Sequence, residues 1–303
     1  MLPVHGQDVI RPYCDLSEGQ RAQLYAFTRR HDPERFHDAG IMELCYHSAA
    51  FEHGASQFTV WRGEELVGAM GAVIREAKER GEIFITAVAI EPGHEDIFKP
   101  LLDRTFACMP PLDGVAVHMG IQPSKPDIET MAAAQGFVVG YDGLVMTYRG
   151  AEFALGAEPA WRVETVDEAN CEPYRWVLDS AFRNSPNGAT VDMEQIRELM
   201  AEISHPSLLG LAWLGDKPAA AFELAVQGEE GWIEAIAVSP ELQGRGIGRR
   251  MLPVAIERLQ AQGATTIKLL VMSTNEPAVR LYANNGFAVD YVTSRWWRLA
   301  TSS

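Results

Sequence analysis

Residues 231–250 read GWIEAIAVSPELQGRGIGRR, and this stretch decides the fold. Residues 232–238 are apolar and β-prone, with one carboxylate, Glu234, set among them. Pro240 ends the strand. Gln243-Gly244-Arg245-Gly246-Ile247-Gly248 follows, and Met251, Leu252, Val254, Ala255, Ile256 and Leu259 then recur at helical spacing. A strand that feeds a helix through glycines gathers several backbone N–H groups at one point. The unsatisfied donors of the first helical turn and the positive end of its dipole aim the same way. Such a corner suits an anion, above all a phosphate or pyrophosphate.

Glycine spacing narrows the choice of phosphate loop. A dinucleotide fingerprint needs G-x-G-x-x-G, whereas Gly244, Gly246 and Gly248 are two apart throughout. A Walker loop ends in GK[ST], and here Arg249-Arg250 follow.

Around this corner the second half of the chain reads as a mixed α/β unit. A strand over 161–164 precedes helices over 174–182 and 193–203. Strands over 209–214 and 219–226 flank the turn Gly215-Asp216-Lys217-Pro218. After the opening strand and its helix over 248–262 come a strand over 267–272, a helix over 277–284 and a closing strand over 288–299. The first half repeats the order: a strand at 9–12, helices over 17–30 and 40–50, a hairpin around Arg62-Gly63-Glu64-Glu65, a strand over 83–90, a helix over 97–109, a strand over 115–119, a helix over 128–135 and closing strands over 137–148. The match extends to residues. ITAVAIEP at 85–92 sets against IEAIAVSP at 233–240, and AQGFVV at 134–139 against NNGFAV at 284–289. The chain is one unit duplicated. Domains are expected over 1–150 and 161–303, joined by a small-residue linker at 151–160.

The copies differ where an anion would sit. Glu234 is matched by Thr86, and the glycine loop by Glu95-Asp96-Ile97-Phe98-Lys99-Pro100. Proline removes a donor N–H, and two carboxylates repel phosphate. The first half is therefore expected to keep the scaffold without the site.

Composition bounds the rest. With 47% hydrophobic and 22% charged residues the chain is globular. Net charge is −15, and residues 1–150 (21 acidic, 13 basic) and 151–303 (20 acidic, 13 basic) are both acidic, so neither half is a nucleic-acid binder. Acidity around one basic loop suggests a locally bound anionic ligand and a cationic second substrate; plain solubility is the simpler reading of the charge. Cys14, Cys45, Cys108 and Cys171 form no close pair, which argues against a CxxC metal site or a disulfide framework. No apolar run approaches the ~20 residues needed to span a bilayer, and residues 1–11 lack the basic start and apolar core of a signal peptide. A cytoplasmic, metal-free protein, monomeric or dimeric, is expected.

The pattern Q-x-x-G-x-G after a strand ending A-V-x-P resembles the acetyl-CoA site of the GNAT superfamily of N-acyltransferases. A second signature lies about thirty residues on: Asn275, Ala278 and Tyr282 in N-x-x-A-x-x-x-Y spacing, then Gly286-Phe287. Both match the family pattern. The resemblance covers roughly 161–299, and 9–148 through the duplication, so it implies two tandem GNAT-like domains of which the N-terminal one is degenerate. It further implies that Gln243, Gly244, Arg245, Gly246, Ile247, Gly248 and Arg249 hold the CoA pyrophosphate. Ile236, Ala237 and Val238 would pair with the pantetheine arm like an added strand, and Asn275 would bond the arm from the other side. The Val238 N–H would meet the thioester oxygen, and Tyr282 would sit near the sulfur.

Acetyl transfer to an amine needs a neutral nitrogen, a polarised carbonyl and a proton for the leaving thiolate. A primary amine resembling lysine, with pKa ~10.4, is mostly protonated at neutral pH. Glu234 is the candidate base, directly or through a water, and Tyr282 the candidate acid. Each has a plainer reading. Glu234 could be a solvated strand residue, Tyr282 a core aromatic, Asn275 a helix cap, and Arg245 and Arg249 solvated charges. His205 and the Trp296-Trp297 pair are assigned no ligand role. Rival functions are a CoA-binding sensor without turnover and transfer of a longer acyl group. The N-terminal domain is expected to shape the pocket of a small-molecule acceptor.

Overall fold

Two alternating patterns, one of period two and one of period 3.6, bury the same sheets from both faces. The computed structural model describes residues 8–33, 36, 38–111, 114–150, 161–183, 185, 188 and 190–300. The expected linker at 151–160 lies outside the described residues. The chain forms two compact units, Met1–Tyr141 with Ser294–Ser303, and Asp142–Thr293.

The first unit runs β1 (Asp8–Pro12), α1 (Glu18–His31), α2 (Ala39–His47), β2 (Gln57–Arg62), β3 (Glu65–Val73), α3 (Glu76–Arg80), β4 (Glu82–Ile90), α4 (Phe98–Phe106), β5 (Ala116–Ile121) and α5 (Pro126–Ala134), and then enters β6 (Phe137–Tyr148). The short α3 is absent from the sequence reading. Its five residues carry too little apolar periodicity to be seen. Strands β1 to β4 pair antiparallel in order, and β4 pairs parallel with β5. Ile83, Ile85, Val117 and Met119 point to α4 and α5, while Ala69 and Ala89 point to α1 and α2. Ser17 opens α1 in a capping box with Gln20.

The second unit runs β7 (Trp161–Thr165), α6 (Cys171–Phe182), α7 (Met193–Glu202), β8 (Leu209–Leu214), β9 (Lys217–Gln227), β10 (Glu230–Val238), α8 (Ile247–Ala261), β11 (Thr266–Met272), α9 (Glu276–Ala283) and β12 (Phe287–Leu299). Strands β7 to β10 pair antiparallel in order, and β10 pairs parallel with β11. Phe222, Leu224 and Ile233 pack under α8, while Ala221 and Ala237 pack under α6. No helix among the described residues is long and apolar enough to cross a membrane.

The closing strands do not close the halves they follow. Within β6 the chain passes into the second unit, where Gly143 to Thr147 pair antiparallel with Met272 to Lys268 of β11. Within β12 it returns to the first, where Arg295 to Arg298 pair with Ile121 to His118 of β5. Each closing strand is long, 12 and 13 residues, because it runs through both units in turn. Hydrophobic pattern alone cannot report this, since either β edge accepts the same alternation.

Candidate functional site

The site grows from a mismatch in length between two parallel strands. β10 and β11 stay in register only from Glu230↔Thr266 to Ile233↔Leu269. β10 then runs on to Val238, still paired with β9, with no strand on its other edge among the described residues. The Ser239 N–H donates to the Ala219 carbonyl at 2.9 Å, which fixes the hydrogen-bond phase. In an antiparallel ladder alternate residues face the partner. Ala235 and Ala237 therefore turn their N–H and C=O groups to β9. Ile236 and Val238 turn theirs to the open edge, where an extended ligand could add as a strand. Of the three β10 residues expected at the ligand, Ala237 is thus the one whose backbone faces away.

The glycine loop lies just beyond this edge, and each glycine has its own reason. Gly244 and Gly246 have φ of +73° and +78°, where a side chain is strained. A methyl group on either would meet nothing within 4 Å, so the loop is an open cradle. Gly248 is needed for closeness instead: a methyl there would come within 3.0 Å of Leu281 Cδ2 and 3.8 Å of Val238 Cγ2. That contact draws the end of β10, the start of α8 and α9 together. Gly246 caps α8 without a side-chain acceptor, so the first-turn N–H groups have no cap. The Gln243 amide reaches back to donate to the Val238 carbonyl at 3.1 Å. Arg245 and Arg249 are exposed, with no carboxylate partner among the described residues. In a chain this acidic, unpaired arginines beside uncapped N–H groups make a local positive site.

Asn275 caps α9, its Oδ1 accepting from the Ala278 N–H at 3.4 Å. Tyr282 sits on the same helix, 8% exposed, its ring 5.8 Å from that of Phe287. Burial pushes its hydroxyl up to about 12. The hydroxyl has no hydrogen-bond partner among the described residues.

Glu234 occupies a β-bulge. The register passes from Ile233↔Leu224 to Ala235↔Glu223, leaving Glu234 as the extra residue. Its surface is open to solvent, yet the surrounding protein thins its hydration and raises its pKa. Glu223 on β9 stands opposite the bulge, half-buried. Desolvation first, and the Glu234 charge second, push its carboxyl up to about 7. Sequence reading missed Glu223. Its signal was the one that marked Glu234, a lone acid inside an apolar strand.

The first unit repeats the geometry and fills it. Its strands β4 and β5 part after Ile85↔Met119, and β4 carries its own bulge, with Ala87 at φ +56°. The offset of 150 that aligns 134–139 with 284–289 sets Lys125 against Asn275. The Lys125 ammonium donates to the Val88 carbonyl at 3.2 Å, on the edge where the strands part. At the loop the Glu95 carboxylate accepts the Gly93 N–H at 2.9 Å, and that bond holds its pKa below the ordinary range. Asp96 pairs with Arg62 at 3.1 Å. Charges of the chain itself stand where the second unit has an open edge and an open cradle.

The model of the acetyltransferase (GNAT) family matches residues 170–287, the span that carries these features. Over the whole chain, a GCN5-related N-acetyltransferase from Sphaerobacter thermophilus superposes with a TM-score of 0.67 at 16% identity, covering 98% of this chain and 96% of that one. A tandem GNAT protein from the clavulanic acid biosynthesis pathway does so at 0.64 and 13%, covering 98% and 100%. Residues 170–287 carry a GNAT-family domain, and the whole chain has the fold of a tandem GNAT protein. Among sequence relatives, the mycothiol acetyltransferase of Kocuria rhizophila is 24% identical over 77% of this chain and 81% of its own length. That of Beutenbergia cavernae is 31% identical over 46% and 50%. The GNAT match falls on the second copy of the duplication, the copy with the intact glycine loop.

Proposed function

We propose that the second unit is an acetyl-CoA-dependent N-acetyltransferase acting on the primary amine of a small cationic acceptor, by direct attack in a ternary complex. The observation that carries this is the outward edge of Ile236 and Val238 running into the uncapped glycine cradle at Gly244 to Arg249. An extended arm ending in a pyrophosphate has the shape and charge to match both. In this reading the backbone N–H groups and Arg245 and Arg249 hold the pyrophosphate, the edge of β10 holds the arm, and Asn275 flanks it. The thioester supplies the activated acetyl group.

Glu234 takes a proton from the acceptor ammonium, and the freed nitrogen attacks the carbonyl. The Val238 N–H offers a bond to the developing oxyanion; losing one such donor typically costs ~2.7–4 kcal/mol. Tyr282, kept protonated by burial, donates to sulfur as the C–S bond breaks. Holding both substrates in one complex contributes effective molarities of ~10⁵ M or more. The first unit, with Lys125 and Glu95 in the equivalent places, serves as a scaffold without an acyl-CoA site. The deciding experiment is release of free CoA from acetyl-CoA with a panel of polyamines, aminoglycosides and amino-acid derivatives, joined by the acceptor of the mycothiol acetyltransferases. Release with at least one amine is expected. Tight acetyl-CoA binding with no transfer to any amine would make the protein a CoA-binding module instead.

A further inference from the structure

Two glutamates, Glu223 and Glu234, meet at the bulge of the β9–β10 ladder. The bulge places Glu234 and Ala235 together opposite Glu223, and strand alternation puts Glu223 on the α6 side with Ala221. Neither acid has a hydrogen bond or ion pair among the described residues. Among the described residues the basic groups of the packed elements make no bond to either acid, and Arg197 of α7 is exposed. From α6, Tyr174 donates its hydroxyl to the Phe222 carbonyl at 3.2 Å, and Arg175 is engaged by Glu172 and Asp179. β8 (Leu209–Leu214) has no ionisable residue. Arg258 of α8 lies over the Phe222 ring on the other face. Like charges directly opposite in a ladder destabilise a sheet, so packing gives no reason for the pair. In the first unit both are missing: Thr86 replaces Glu234, and β3 (Glu65–Val73) holds no acid beyond its first residue.

We propose that Glu223 is a positioning residue of the acyl-transfer site, a second carboxylate that forms with Glu234 a pair sharing the one proton taken from the acceptor. The proposal rests on Glu234 as the base. An isolated glutamate is a poor match for an amine some six pKa units more basic. Two adjacent carboxylates cannot both ionise cheaply, so the first proton they accept is held at a pH nearer neutrality. The proton balance is simple. The doubly ionised pair takes one proton from R–NH3⁺, the C–N bond forms, and the C–S bond breaks. The nitrogen's second proton replaces the one Tyr282 gives to sulfur, and the pair returns its proton to solvent.

Glu223→Gln keeps the shape and removes the charge. Carbon-13 carboxyl NMR of the glutamate-labelled chain reads the coupling without turnover. Glu223 is expected to titrate about one pH unit or more lower in Glu234→Gln than in the native chain. In the acceptor assay Glu223→Gln moves the acidic limb of kcat/KM down by a similar amount, Glu223→Asp restores the native limb, and KM for acetyl-CoA stays within about twofold. An unshifted Glu223 titration in a folded Glu234→Gln protein overturns the proposal, whether or not an acceptor has been found. An unshifted kinetic limb, or a limb that Glu223→Asp fails to restore, does the same. If the titration shifts and no amine is acetylated, the pairing stands and the transferase reading fails.

Discussion

Tyr282 is buried against Phe287 in the core of the second unit. A hydroxyl pushed up to about 12 stays protonated across the working range, as the proposed acid role requires, though it donates uphill to a thiolate. Tyr282→Phe keeps the ring and its packing. Turnover is expected to fall by about 10²-fold or more while the acetyl-CoA Kd stays put; unchanged kcat would remove the acid role. The carboxylate pair makes a second prediction, on stability. Glu223 holds its proton up to about pH 7 in the folded chain, against an ordinary value of 4.5. Between those values the folded state binds more protons than the unfolded one, so this residue makes stability fall as pH rises. Urea midpoints measured from pH 4.5 to 8 are expected to decline less steeply for Glu223→Gln than for the native chain. Parallel curves would show that the carboxyl titrates normally. Glu234 and Tyr282 are legible in the sequence because a strand, a loop and a motif spacing frame them. Glu223 carries the same mark, a lone acid in an apolar strand, but its partnership with Glu234 depends on a bulge, and a bulge is a property of two strands in register.

The glycine loop and its degenerate copy separate backbone geometry from charge. Gly246 has a left-handed φ of +78°, which costs any side chain ~1–2 kcal/mol. Gly246→Ala carries that strain alone and is expected to weaken acetyl-CoA binding modestly. Gly246→Asp adds a carboxylate among the N–H donors and is expected to abolish it. Isothermal titration giving Gly246→Asp normal affinity would sink the pyrophosphate assignment. In the first unit the same corner is answered by Glu95 and Lys125, so titration of the native chain is expected to give one acetyl-CoA per chain. Two sites of comparable affinity would overturn the scaffold reading. The replacement of the glycine loop by acids and proline was plain in the aligned halves. The placing of Lys125 on the Val88 carbonyl was not, since a lysine beside Pro126 reads as an exposed helix start until the parting of β4 and β5 gives it an acceptor.

At the scale of the molecule, the duplicated pattern gave the right strands and the wrong owners for the last one in each half. β6 starts in the first unit and pairs in the second; β12 does the reverse. Chain halves cut between 150 and 161 therefore divide both units, leaving β5 and β11 each without its antiparallel neighbour. The first unit is tied to its borrowed strand by more than backbone. Trp296 lies over Gly120, its ring stacks on Tyr141 at 6.2 Å, and its edge meets Phe84 at 5.7 Å. Arg295 pairs with Glu129 of α5 at 3.3 Å. A chain ending at Thr293 loses all of these, and β5 becomes an open edge with unpaired N–H and C=O groups. Hydrogen exchange of that shortened chain is expected to show faster exchange at His118 to Ile121, with β10 and α8 still protected. Native protection at β5, or equal loss in both units, would mean that the exchanged strand does not hold the first unit on its own account. Retained β10 protection should bring retained acetyl-CoA binding, because the open edge and the glycine cradle both lie within Asp142–Thr293.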